Sequence, residues 1–332
     1  MKLALLEQQR GTLITASQQL LGAYLTQWLE EVHRPPVIKV SSHLKYRKLM
    51  NTYIIPALGR IPLQKLTPQH VQRFHNQKLE DGLHARTIIS IHNVLHQALE
   101  DAVRWNLVAR NVCDVVMPPK AEKYDITPLT LTQAQAFLAS LQGHRLEALF
   151  LLAIITGMRK GELLGLRWSD IHFEQQYVRV RRTVSYIEGR GYIETEPKTA
   201  KGRWLISLPP FALDKLRQHR LQQVEQRSKV ANNWEERDLV FCNQRGDYLD
   251  PRYLSRLFAR LLKKADLPHI RFHDLRHSAA TIMLSMGVHF KVIHEILGHS
   301  SSRITLDIYA HVLPAMHEEA MSGWKSVLGE AQ

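Results

Sequence analysis

TGMRKGELLGLRW, residues 156–168, decides how the second half of the chain reads. Gly157 interrupts an apolar helical run extending from about Arg145 to Ile155. The short segment after it, RKGELLGL, places Glu162 one helical turn beyond Arg159. Downstream the period changes. Tyr177, Val178 and Val180 alternate among Arg179, Arg181 and Arg182, and GYIETEPKT and RWLISLP follow. Three short strands with turn signals predict a small antiparallel β-sheet. Helices return from Pro251, where Leu254, Leu257, Phe258, Leu261 and Leu262 form one stripe. Three more short helices are expected near 273–286, 289–297 and 302–312.

Upstream, residues 118–130 hold Pro118, Pro119 and Pro128 among mixed charges and read as an interdomain linker. Before it lies a helical domain. Leu20, Leu21, Tyr24, Leu25, Trp28 and Leu29 recur at helix spacing, up to Pro35-Pro36. Ser41 or Ser42 caps a second helix with Tyr46, Met50 and Tyr53, broken before Pro56. Thr67-Pro68 opens a third, with proline at the first helical position, and Gly82 closes it. A longer fourth, from Thr87 to Trp105, carries Ile88, Ile91, Leu95, Ala98, Ala102 and Trp105 on one side. The fold class is thus mainly α with a small antiparallel sheet, in two domains. No repeat or low-complexity segment appears.

The chain has 332 residues, 44 Lys and Arg against 31 Asp and Glu, and a formal charge of +13. Residues 1–125 carry +6 and the remainder +7, so the charge is not a single basic tail. An excess spread over both halves favours a polyanionic partner, most simply nucleic acid. Cys113 and Cys242 are the only cysteines, which excludes a disulfide framework and a four-cysteine zinc site. The longest apolar run is too short to span a bilayer, and no signal peptide is read. These features fit a cytoplasmic protein.

Four patches carry chemistry. They are TGMRKGELLGLRW with Arg159 and Glu162, EPKTAKGRW with Lys198 where two strands turn, HDLRHSAAT with His273 and Arg276 on one helical face, and LGHSSSRITLDIYAH with His299 and Tyr309. Each alone has an ordinary explanation: a surface ion pair for Arg159, a solvated turn for Lys198, half-buried packing for Tyr309. The pairs His273/His277 and His92/His96 have zinc spacing, but no Cys or carboxylate motif accompanies them. HEILGH is one residue too long for a zinc-protease signature. No metal is therefore assigned. Together the patches supply what metal-free transfer at a phosphodiester requires. Arginine forks match phosphate oxygens and stay charged. They can stabilise a pentacoordinate transition state. A tyrosine can act as nucleophile, aided by histidine, and a lysine can protonate the leaving hydroxyl.

The order Arg-x-x-Glu, Lys, His-x-x-Arg, His, Tyr resembles the tyrosine recombinase (phage integrase) family, most closely integrases of phages and conjugative elements. The resemblance is strongest over residues 125–315; YIIPALG and AVRWNLVARN extend it more weakly to the helical domain. It implies the following assignments. Arg159, Lys198, His273, Arg276 and His299 are catalytic, Tyr309 is the nucleophile, and Glu162 supports the first arginine. The chain divides into an N-terminal remnant (1–16), a helical core-binding domain (17–117), the linker (118–130), a catalytic domain (131–312) and a tail (313–332). The two domains form a C-shaped clamp on double-stranded DNA. The activity implied is site-specific recombination or integration through a 3′-phosphotyrosyl intermediate, with no cofactor, metal or ATP. The tail, with Met316, Met321, Trp324 and Leu328, packs on a neighbouring protomer in a homo-tetramer on two DNA sites, with an accessory directionality protein as a further partner. Helical sequence beginning near residue 17 leaves no room for a separate arm-site domain. Lys45, Arg47, Lys48 and Arg86 are candidate DNA contacts, with a solvated helix face as the alternative for each. Two rival functions stand beside this one, a type IB topoisomerase and a non-catalytic DNA-binding regulator on the same scaffold.

Overall fold

The computed structural model describes residues 19–122, 127–195 and 204–298. It divides into two units, the boundary falling between residues 124 and 125.

The first unit is helical: α1 (Leu21–Glu31), α2 (Val40–Leu49), α3 (Ile55–Leu58), α4 (Pro68–Glu80) and α5 (Ala85–Arg104). Leu21, Tyr24, Leu25, Trp28 and Leu29 bury one face of α1. Two polar tips on that face fix its register on α5. The Tyr24 hydroxyl donates to the Ala98 carbonyl at 2.5 Å, and the Trp28 indole N–H donates to Asp101 at 2.8 Å. Thr67 caps α4 by accepting from the His70 N–H, and Pro68 occupies the first turn. The helix does not break before Pro56. Residues Met50–Ile54 form a π-helical turn that joins α2 to α3. A wide turn tolerates a residue that has no N–H to give and whose ring crowds the preceding carbonyl.

The second unit contains α6 (Leu131–Ser140), α7 (Glu147–Thr156), α8 (Lys160–Leu164), strands β1 (Ile171–His172), β2 (Tyr177–Val180), β3 (Thr183–Ile187), β4 (Gly191–Thr195) and β5 (Trp204–Ser207), then α9 (Pro210–Val230), α10 (Pro251–Lys264), α11 (Asp274–Ser285) and α12 (Phe290–Leu297). Among the described residues the strands make two antiparallel sheets, β1-β2-β5 and the hairpin β3-β4. The register sets Val178 opposite Ile206 and Val180 opposite Trp204. α7 is buried almost all round, against Phe137, Phe258 and Phe272, whose rings lie 5.4–6.1 Å from Phe150 or each other. Such pairs each contribute about 0.5–1.5 kcal/mol beyond their burial.

Periodicity predicts that helices resume only at Pro251, but α9 intervenes. Only Ala212, Leu213, Leu216 and His219 of its 21 residues are buried. The apolar stripe is therefore too short to stand out. Polar contacts replace it: the His219 ring bonds the Val240 carbonyl at 2.8 Å, and Gln223 donates to the Leu239 carbonyl and accepts from the Trp168 indole. No helix among the described residues is long and apolar enough to cross a membrane.

His75 on α4 is fully buried, with no hydrogen-bond partner at either ring nitrogen. Its burial, then the nearby His92 ring at 5.3 Å, lowers its pKa to about 4. The unfolded chain therefore takes the proton more readily. The associated stability is complete above the unfolded value of 6.5 and is lost as pH falls towards 4. In urea unfolding, the first unit should lose on the order of 2–3 kcal/mol across that interval from this group. His75→Leu should flatten the loss, and a slope unchanged in the variant contradicts the assignment.

Candidate active site

α7 ends at Gly157, which adopts a left-handed conformation at φ +61°. A Cβ there would lie 2.3 Å from Leu297 Cδ2 and 3.3 Å from the Ala279 side chain. Glycine thus serves both the turn and the close approach of α11 and α12. Two residues on, Arg159 caps α8. Its backbone N–H donates to Glu162 Oε2 at 2.7 Å, and its guanidinium donates to Glu162 Oε1 at 2.7 Å. The Glu162 side chain is only 3% exposed, against 39% for Arg159. This is a buried carboxylate holding an arginine half open to solvent, not the surface pair that spacing alone would favour. Lys160 ties the same helix to α10, donating to the Pro251 carbonyl and to Ser255 Oγ at 2.8 Å.

Arg276 arrives from the first turn of α11 and is itself buried. It donates to the Gly157 carbonyl at 2.9 Å and to the Leu297 carbonyl. Arg159 reaches the next carbonyl, that of Gly298, at 3.5 Å. Gly298 closes α12 with φ +58°. Both guanidinium groups therefore meet at the carbonyl end of α12, where the helix dipole is negative. Burial, then the charge of Arg159, pulls the Arg276 pKa down to about 9, with Glu162 opposing. It stays protonated at neutral pH, but the pair is placed where an added anion relieves repulsion.

His273 sits at the N-cap of α11. Desolvation of its ring, then the Arg276 charge, lowers its pKa, which favours the neutral imidazole near pH 7. A neutral ring can take a proton. Arg271 and Asp274 fix the loop before it. The backbone N–H, Nε and terminal nitrogen of Arg271 all donate to the Asp274 carboxylate, at 2.8–3.0 Å. Ser278 Oγ then donates to the Asp274 carbonyl and accepts the Leu129 N–H.

The match to the phage integrase family covers residues 128–316, and a phage integrase N-terminal SAM-like domain matches residues 20–79. A tyrosine recombinase XerC-like protein of Caldanaerobacter subterraneus is 33% identical over 91% of this chain and 81% of its own length. The chain belongs to the phage integrase family. Membership makes it a tyrosine-type site-specific DNA recombinase. The ICEBs1 integrase of Bacillus subtilis is 25% identical over 85% of this chain and 76% of its own. In fold, the chain is similar to the Tn1549 transposon integrase in complex with transposon right end DNA, with TM-score 0.78, 22% identity, and coverage of 93% of this chain and 99% of that one. It is also similar to a lambda integrase dimer bound to a core site, with TM-score 0.63, 19% identity, and coverage of 87% and 95%.

Of the residues expected in the recombinase site, Arg159, Glu162, His273 and Arg276 are brought together. Lys198, His299 and Tyr309 lie outside the described residues. Among the described residues, the strands flanking Lys198, β4 and β5, belong to different sheets and are not paired with each other. In the first unit Lys45 and Lys48 are exposed on α2. Arg47 is paired with Glu30 at 2.7 Å, and Arg86 is exposed and donates to the Glu122 carbonyl.

Of the pair His92/His96, His96 has carboxylates beside it in space. Glu100 and Asp114 stand with His96 in a group whose ligand atoms lie within 4.8 Å of one another, and His96 Nε2 bonds Asp114 at 2.8 Å. Asp114 comes from a separate 3₁₀ turn, so spacing could not reveal it. This group belongs to the first unit, whereas the arginines belong to the second. Sequence reasoning also missed Arg271 and Asp274, whose i,i+3 spacing was a usable signal, and the helix-end carbonyls, for which no side-chain signal exists.

Gly157→Ala should lower the stability of the second unit by about 2–4 kcal/mol, from left-handed strain plus the displaced Leu297. Thermal or urea unfolding checks this, and an unchanged transition contradicts the packing described.

Proposed function

We propose that this recombinase cuts and rejoins DNA through a covalent bond between Tyr309 and the 3′ phosphate of the broken strand. The observation that carries the reading is the meeting of Arg159 and Arg276 at the end of α12, one residue before His299. In this reading the two guanidinium groups hold the non-bridging oxygens of the scissile phosphate. The Tyr309 oxygen attacks phosphorus, the O–P bond to the 5′ oxygen breaks, and Lys198 protonates that oxygen as it leaves. His273 accepts the tyrosine proton, and His299 hydrogen-bonds the phosphate. One phosphodiester becomes another, so a 5′-hydroxyl from a partner strand can reverse the step without ATP. The arginine pair supplies the positive charge, so the reading requires no metal ion.

The remaining parts of the reading concern partners. The helical unit is the core-binding domain and grips the duplex through its basic side chains, Lys45 and Lys48 being better placed than Arg47, which Glu30 already holds. Assembly is a homo-tetramer on two DNA sites, with the tail after Tyr309 packing on a neighbour and an accessory protein setting direction. A lambda integrase tetramer bound to a Holliday junction is among the similar folds, which supports this choice over a monomeric relaxing enzyme.

On a nicked suicide substrate, Tyr309→Phe should abolish the covalent protein–DNA adduct while leaving DNA affinity nearly unchanged. Arg159→Ala should slow adduct formation by on the order of 10²–10³-fold. Cleavage by the unmodified protein should survive EDTA. An adduct that persists in Tyr309→Phe removes the nucleophile assignment.

A further inference from the structure

We infer that Trp204 is a positioning residue for strand cleavage, acting by holding the carbonyl end of α12; this rests on the reading of Tyr309 as nucleophile. Trp204 opens β5, and its place there is fixed by pairing with Val180 of β2. Its indole N–H donates to the Ile296 carbonyl at 2.9 Å. Its ring also lies against Gly298: a Cβ at that glycine would come within 2.9 Å of indole Cε2 and Cζ2. A side chain at Gly298 would therefore collide with the indole.

Three devices thus converge on three consecutive residues. Trp204 takes the carbonyl of Ile296, Arg276 takes that of Leu297, and Arg159 takes that of Gly298. The Leu297 side chain is meanwhile seated at Gly157. Two of these devices are the phosphate-binding arginines themselves. When a phosphate draws the arginines, their hold on the helix end competes with their hold on DNA. Trp204 carries no charge and faces no such competition. It can keep the helix end in place while the arginines turn to the phosphate. The residues that follow Gly298 are His299 and, ten positions on, Tyr309. A shift of the helix end is thereby a shift in where the nucleophile segment begins. Misplacement of a reacting group by about 1 Å costs roughly 10²-fold in rate.

The test compares wild type, Trp204→Phe and Trp204→Ala in the full chain. Binding affinity for a core-site duplex and single-turnover adduct formation on pre-bound suicide DNA are measured separately, with the thermal transition as a check on folding. Trp204→Ala should bind DNA as wild type does and cleave roughly 10²-fold more slowly. Trp204→Phe, which keeps the ring and loses the N–H, should fall between, and carries the test if the alanine variant does not fold. Each protein is also given DNA in which sulfur replaces the bridging 5′ oxygen. The thiolate departs without protonation, so this substrate removes any need for Lys198. The Trp204 defect should persist on it. A defect that disappears with sulfur shows that Trp204 acts through the leaving-group lysine and overturns the inference. So does wild-type cleavage by both variants, or a loss of affinity that matches the loss of rate. Absence of any adduct with wild-type protein overturns the nucleophile reading, and this inference with it.

Discussion

Two guanidinium groups held at one place repel each other, and the second unit is organised around making that placement tolerable. Arg276 is buried and cannot shed its charge near neutral pH, although burial and Arg159 both press it in that direction. Three things offset the repulsion. Glu162 lends a buried carboxylate to Arg159 through two hydrogen bonds of 2.7 Å. The end of α7 offers the Gly157 carbonyl, and the end of α12 offers those of Leu297 and Gly298. Helix ends are useful here because their last carbonyls have no partner within the helix and carry partial negative charge. They also fix direction, since each arginine is aimed by the carbonyl it meets. A phosphodiester approaching such a pair replaces repulsion with attraction, which is the electrostatic basis of phosphate activation by arginine.

The fold follows from that demand. Gly157 and Arg276 are 119 residues apart in sequence, so their hydrogen bond requires that α7 and α11 pack directly. The apolar surround of α7 and the cluster of Phe137, Phe150, Phe258 and Phe272 make that packing rigid. Gly157 lets Leu297 and Arg276 come close enough, and Arg271 with Asp274 fixes where α11 starts. Close packing transmits small displacements, so residues remote from the arginines can set their geometry.

Local chemistry was legible in the sequence, and spatial convergence was not. The helix starts at Pro68 and Pro251 and the ends at Gly82 and Gly157 follow from proline and glycine alone. The amphipathic stripes of α1, α5 and α10 follow from periodicity. α9 escaped because fewer than a quarter of its residues are buried, and its anchoring runs through His219 and Gln223 rather than an apolar stripe. Pro56 misled because a π turn absorbs what an ordinary helix cannot. The hairpin β3-β4 was fused in expectation with the other sheet because alternation shows strands but not partners. In the site, residue types and order marked Arg159, Glu162, His273 and Arg276. The role of main-chain carbonyls as arginine partners left no trace in side-chain identity. Trp204 was invisible for a similar reason, since its indole meets the end of α12 at a carbonyl and a glycine.

The central claim is that the arginines work by meeting the negative charge of the scissile phosphate. Arg159 is the better probe, because it is partly solvent-facing and its removal leaves the α7–α11 contact intact. Its alanine variant should be compared with wild type on DNA carrying either an ordinary phosphate or an uncharged methylphosphonate at the cleavage position, reading the rate of tyrosyl-adduct formation. The account predicts that neutralising the phosphate erases most of the variant's disadvantage, because the charge that Arg159 answers is gone. A disadvantage of equal size on both substrates would contradict it.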